Sequence, residues 1–96
     1  MRFQYHPEAA RELANSIKYY EKKSVGLGAE FLDEVEHAIS LILTHPDSGT
    51  LLTDDDRRFL LNRFPFGIIY EVSEELLTIY AVMHLRRSPD YWKSRK

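Results

Sequence analysis

The stretch Leu76-Leu77-Thr78-Ile79-Tyr80-Ala81-Val82-Met83-His84-Leu85-Arg86-Arg87-Ser88-Pro89-Asp90-Tyr91-Trp92 decides the fold. Leu76–Met83 is apolar at even and odd positions alike, which predicts an interior strand. The run then meets His84, Arg86 and Arg87, followed by Pro89, Tyr91 and Trp92. A buried strand is a rigid stem that holds the polar groups at its end in place. His84, Arg86, Arg87, Tyr91 and Trp92 are therefore expected to form a working surface at the strand's exit.

Working backwards, Ser73-Glu74-Glu75 is turn chemistry and Ile68–Val72 is a second strand. Pro65-Phe66-Gly67 is a further turn, preceded by the alternating run Arg57–Phe64. That alternation places Arg57, Phe59, Leu61 and Arg63 on one face and Arg58, Leu60 and Asn62 on the other. Connections this short make the three strands a consecutive antiparallel meander.

The N-terminal half reads as helices. Arg2–Tyr5 is a short strand with Phe3 and Tyr5 on one side. Pro7 suits a first helical residue, since its missing N–H would be unpaired there anyway. A helix is predicted from Pro7 to Lys23, with Ala10, Leu13, Ile17 and Tyr20 as its apolar face. Gly26 marks a left-handed stop. A second helix is predicted from Leu27 to Thr44, ended by Pro46. Its stripe is Phe31, Val35, Ala38, Ile39 and Ile42, widened by Leu32 and Leu41, and Glu30, Asp33, Glu34 and Glu36 read as a solvated opposite face. The short connection makes the two helices an antiparallel hairpin. The expected fold is α+β, in the order β-α-α-β-β-β, with the hairpin packed on a four-stranded, mostly antiparallel sheet.

With 96 residues, the chain is expected to form one domain over residues 1–96. It has no cysteine, so disulfides and thiolate metal sites are excluded. The start of the chain lacks the apolar run of a signal peptide, and no segment approaches the roughly 20 apolar residues of a bilayer span. A cytoplasmic protein with no membrane partner is expected. His6, His37 and His45 show no ligand spacing, and Asp54-Asp55-Asp56 lacks the glycine and further oxygen ligand of a calcium loop, so it reads as a solvated loop. No metal or cofactor is expected.

The net charge of −2 conceals an asymmetry. Residues 1–56 carry eleven acidic and five basic residues, whereas residues 57–96 carry four acidic and eight basic. A basic half suits an anionic partner. Arg57, Arg58, Arg63, Arg86 and Arg87 precede any lysine in that half, and guanidinium forks match carboxylates and phosphates in a bidentate manner. His84 is the one group among them that exchanges protons near neutral pH. Tyr91 and Trp92 can stack on a base or a guanidinium, or pin a tail to the core.

Two strings in this half, Arg63-Phe64-Pro65-Phe66-Gly67-Ile68-Ile69-Tyr70 and Ile79 to Trp92, resemble ParE-type toxins of the RelE/ParE superfamily. His6-Pro7-Glu8-Ala9, Tyr19-Tyr20-Glu21 and Gly26-Leu27-Gly28 followed by Phe31 match as well, so the resemblance spans nearly the whole chain. It implies the toxin half of a type II toxin–antitoxin module, of the kind that stabilises plasmids and also occurs on bacterial chromosomes. The implied partner is a cognate antitoxin, which wraps an extended or helical segment around the toxin's helices and sheet.

The superfamily divides in function. ParE-like members arrest growth by poisoning DNA gyrase through protein contact, and this is the activity expected here. The partner-binding candidates are then Arg57, Arg58, Arg63, Arg86, Arg87 and Trp92. RelE-like members cleave mRNA on the ribosome without a metal. In that alternative His84 is the general acid or base, Arg58, Arg63 and Arg86 stabilise the phosphorane, and Tyr91 orients it. The chain departs from the nuclease pattern in having no lysine in its central strands and a negative net charge. A third alternative is a degenerate toxin that retains only antitoxin binding.

Overall fold

A computed structural model describes all residues, 1–96. The elements run β1 (Arg2–Tyr5), α1 (Pro7–Lys23), α2 (Leu27–Thr44), β2 (Thr50–Leu51), β3 (Asp56–Leu60), β4 (Phe66–Ser73), β5 (Leu76–His84) and a terminal 3₁₀ turn (Lys93–Arg95). The sheet order is β1-β5-β4-β3-β2; β1 pairs in parallel with β5 and every other pair is antiparallel. β5 is thus interior, as its two apolar faces require. The sheet has five strands where four were expected. The added one, β2, is only two residues long and lies in the connection between α2 and β3, too short to leave a periodic signal.

Both helices occupy the predicted spans, and their ends have visible causes. His6 caps α1 by accepting the Glu8 N–H at Nδ1 (3.0 Å), and Pro7 follows it at the first helical position. Gly26 has φ +88° and enters α2, where Glu21 accepts the N–H groups of Gly26 (2.9 Å) and Gly28 (3.0 Å). Gly28 lies against α1: a Cβ there would come within 2.6 Å of the Ile17 carbonyl.

The buried residue near the start of α1 is Ala9 rather than Ala10, and Leu43, not Leu41, packs against the core from α2. The acidic face of α2 is not simply solvated. Glu34 accepts the N–H groups of Asn62 (2.6 Å) and Arg63 (3.0 Å), and Glu30 pairs with Arg63 (2.8 Å). This grip bends the chain after Leu60, so the expected strand Arg57–Phe64 is shortened. Leu61 and Phe64 then drop into the core from a loop.

The core has two parts. The larger lies between the helices and the sheet and contains Phe31, Ile42, Ile68, Tyr70, Ile79 and Val82. Tyr20, Phe31, Phe64 and Phe66 form an aromatic box there, with centroid spacings of 4.8 Å for Tyr20–Phe64 and Phe31–Phe66 and 5.1 Å for Phe31–Phe64. Such pairs contribute roughly 0.5–1.5 kcal/mol each beyond area burial. The smaller part lies on the far face of the sheet, where Ile69, Ala81 and Met83 are roofed by Trp92. The tail therefore covers the face of the sheet opposite the helices.

β5 contains a bulge. Ile69 pairs with Ala81 and Tyr70 with Ile79, leaving Tyr80 as an extra residue. An inserted residue reverses the alternation of side chains beyond it. Leu77, Ile79 and Val82 therefore face the helices, while Ala81 and Met83 face away.

Candidate functional site

An open cleft of about 610 Å³ lies between α1 and the end of β5. Asn15, Ser16 and Tyr19 line its helical side, Pro65 and Phe66 its floor, and His84, Arg86 and Arg87 its exit side. The bulge places His84 here, on the side of Val82 but not, as simple alternation predicts, of Tyr80. The imidazole stands edge-on to Phe66, with centroids 5.1 Å apart. Its Nδ1 accepts the Arg86 N–H (3.0 Å), so the neutral ring carries its proton on Nε2. Leu85 N–H donates to the Pro65 carbonyl (2.9 Å) and Arg87 N–H to the His84 carbonyl (3.0 Å), which fixes the turn holding both arginines.

Arg87 is not free. Its Nη1 lies 3.1 Å from Glu12 Oε2, and its guanidinium sits 3.7 Å from the centroid of the Tyr91 ring. Arg86 has no side-chain hydrogen bond or ion pair and is the cleft's available cation.

The centre of this region is a residue that the sequence did not mark. Glu12 accepts from Val82 N–H (3.0 Å), Tyr91 O–H (2.7 Å) and Arg87, and it binds Arg95 in a fork (Nη1 to Oε1 3.0 Å, Nη2 to Oε2 2.8 Å). β1 stops opposite Ile79, so the Val82 N–H has no strand partner on that side, and a carboxylate from α1 takes its place. Arg95 also donates to the Tyr80 carbonyl (2.8 Å). The available signal was a charged residue inside the buried stripe of α1, three positions after Ala9.

Tyr91 is consumed by this cluster. Burial first, then its hydrogen bond to Glu12 and that carboxylate's charge, push its hydroxyl well above the ordinary tyrosine range. The Glu12 hydrogen bond is the chief reason that Arg95 holds its proton more tightly than usual. A hydroxyl so held does not suit the expected role of orienting a phosphate.

The remaining candidates lie elsewhere. Arg57 is structural: its Nη1 donates to the carbonyls of Asp47 (3.1 Å) and Gly49 (2.8 Å), tying down the loop before β2. Arg58 is on the far face of the sheet, beside Trp92. Arg63 is outside the cleft, paired with Glu30. Trp92 is 1% exposed and its Nε1 donates to the Pro89 carbonyl (2.7 Å), so it is a core residue. The single exposed patch expected for all these groups is therefore absent; the cleft unites only His84, Arg86 and Arg87.

The Asp54–Asp56 run divides too. Asp56 is buried, accepts from Thr53 Oγ1 (2.8 Å) and pairs with Lys96 Nζ (2.6 Å). No cluster of three or more histidine or acidic residues is arranged to hold a metal ion. No helix is long and apolar enough to cross a membrane.

The family described as the ParE toxin of type II toxin–antitoxin systems, parDE, matches residues 3–89. The chain belongs to the ParE toxin family. Among solved structures, the chromosomal ParDE toxin–antitoxin system from P. aeruginosa contains a chain similar to this one in fold. The TM-score is 0.74 at 15% identity, over 90% of this chain and 97% of the other. No curated protein matches in sequence. In ParE terms, the shared frame is the helical hairpin on its sheet, and the cleft at the end of β5 is where this member places its histidine and free arginine.

Proposed function

We propose that this ParE-family toxin arrests growth by binding a protein target, DNA gyrase, and that a cognate antitoxin neutralises it. One observation carries the choice of contact over cleavage: the groups needed for phosphoryl transfer do not converge. Such chemistry requires an acid or base and cations within reach of one phosphate. Here Arg58 and His84 occupy opposite faces of the sheet, Arg63 is paired with Glu30, and the Tyr91 hydroxyl donates to Glu12. His84 and Arg86 on an aromatic floor suit recognition of an acidic or polar protein surface.

The test is a supercoiling assay with purified toxin, alone and premixed with the antitoxin encoded beside it. Inhibition by micromolar toxin, relieved by antitoxin, is expected, with Arg86→Glu weakening it at least tenfold. Intact supercoiling at that concentration overturns the gyrase reading. The presence of an imidazole and an unpaired guanidinium in one cleft supports a second reading, ribosome-dependent mRNA cleavage. Primer extension on translated mRNA after induction decides it: breaks within codons that vanish in His84→Ala favour cleavage.

A further inference from the structure

Arg58 is the one partly buried arginine in the chain with no partner. Arg57, Arg63, Arg87 and Arg95 each bond a carbonyl or carboxylate. The Arg58 side chain has none, and its Nε is enclosed without any hydrogen-bond acceptor, the sole buried side-chain polar atom in that state. A buried donor left unpaired is costly, and a charged one more so.

Its position is built rather than accidental. The Arg58 stem lies across Gly67, where a Cβ would stand 3.0 Å from its Cγ and 3.1 Å from its Cδ. The strand pairs Arg58 with Ile69 on β4 and Thr50 on β2, which points the side chain over the far face. There it borders a pocket of about 120 Å³ with Leu52, Met83, Pro89 and Trp92. Asp90 also reaches this pocket, but its carboxylate is paired with Lys93 (3.2 Å). Leu52 and Leu60 beside the site are 39% and 49% exposed. Small-molecule sites measure roughly 300–1,000 Å³, so this pocket suits one side chain presented by a protein segment.

We infer that Arg58 is the anchor of an antitoxin contact on the face of the sheet opposite the helices, where it receives a carboxylate from an acidic residue flanked by apolar ones. Charge complementarity selects the occupant: Nε is enclosed, but the two Nη groups are neither enclosed nor bonded and take a carboxylate in a bidentate manner, and the exposed leucines meet the flanking apolar residues. The inference rests on the antitoxin reading above and adds a surface remote from the His84 cleft.

The experiment measures antitoxin affinity for wild-type toxin and for Arg58→Met and Arg58→Lys, with unfolding midpoints as a fold control. Methionine keeps the stem over Gly67 and removes the charge; lysine keeps the charge and loses the fork. Expected losses are about tenfold or more for methionine and an intermediate loss for lysine. One Asp or Glu of the antitoxin, changed to its amide, should cause a loss that does not add to that of Arg58→Met. In ¹⁵N-arginine-labelled toxin, the Arg58 Nε–Hε resonance should shift on complex formation. Wild-type affinity in both folded variants, with an unmoved resonance, overturns the inference while leaving the antitoxin reading intact. Absence of binding by wild-type toxin removes the antitoxin reading itself. Variants that lose growth arrest but keep antitoxin affinity assign Arg58 to the toxin's target and likewise overturn it.

Discussion

Glu12 carries more of this fold than any other polar residue. Its side chain is 13% exposed and that of Arg95 11%, so their charges are largely removed from water and stable only together. Replacing one partner leaves the other buried and unpaired. Glu12→Gln keeps the shape but withdraws the charge from Arg87 and Arg95, and is expected to cost about 2–4 kcal/mol in urea unfolding. A change under about 0.5 kcal/mol would show the cluster to be decorative. The same substitution should loosen Tyr91 and Arg87 along one side of the cleft. At this scale the sequence was least legible. Arginines grouped by number were expected in one place, yet Arg57 and Arg58, adjacent in the chain, go to opposite faces because successive strand residues must. Trp92 was open both to stacking on a partner and to pinning the tail on the core, as a C-terminal aromatic usually does, and the apolar surface of Ile69, Ala81 and Met83 beneath it decides for the core.

The helices were legible because their punctuation is local. Pro7, Lys22-Lys23, Gly26 and Pro46 bracket two apolar stripes; the prolines and the glycine act through their own backbone, and the lysines through their charge at the end of α1. The two glycines of the hairpin separate two physical effects. Gly26→Ala meets no atom within 4 Å but must hold φ +88°, a left-handed conformation costing about 1–2 kcal/mol. Gly28→Ala has no such strain, but its methyl would drive α1 and α2 apart at Ile17, for about 1–3 kcal/mol. Both should lower the thermal midpoint. Only Gly28→Ala should disturb the chemical shifts of Ile17 across the hairpin, since Glu21 bonds the N–H groups of both glycines; equal disturbance of Ile17 in both variants would refute the distinction. The strands were less legible than the helices. β2 is a two-residue pairing, and β3 ends early because Glu34, from another element, captures the Asn62 and Arg63 amides. Neither cause is written in the strand's own pattern.

Across the whole molecule, the tail joins both layers: Arg95 reaches the helices through Glu12, and Lys96 reaches the sheet through Asp56, with Glu71 further off at 3.7 Å. The tyrosines give this packing a pH signature. Burial raises the hydroxyls of Tyr5, Tyr20, Tyr80 and Tyr91, with nearby carboxylates adding to the effect at Tyr5, Tyr80 and Tyr91. Burial alone would lower the Lys96 ammonium, but its hydrogen bond to Asp56 and the surrounding negative charge outweigh that and raise it. Below about pH 10 these tyrosines keep their protons in both the folded and the unfolded chain, and the contribution is constant. Above it the unfolded chain releases protons first, so stability falls as pH rises towards the folded values. Urea midpoints should therefore be level from neutral pH to about 9.5 and decline beyond, more gently in Tyr91→Phe; an alkaline decline unchanged in that variant would exclude Tyr91 as a source. The supernumerary Tyr80 has a reach beyond its own strand. Tyr80 and Ala81 share the far face, so a chain lacking Tyr80 would alternate regularly and leave His84 where it is, whereas a chain that keeps the residue but pairs without the bulge would bring Met83 to the aromatic floor and swing His84 towards the indole. Relatives of equal length whose strand runs without that bulge would thus align to this chain on a histidine that in three dimensions belongs to the opposite surface.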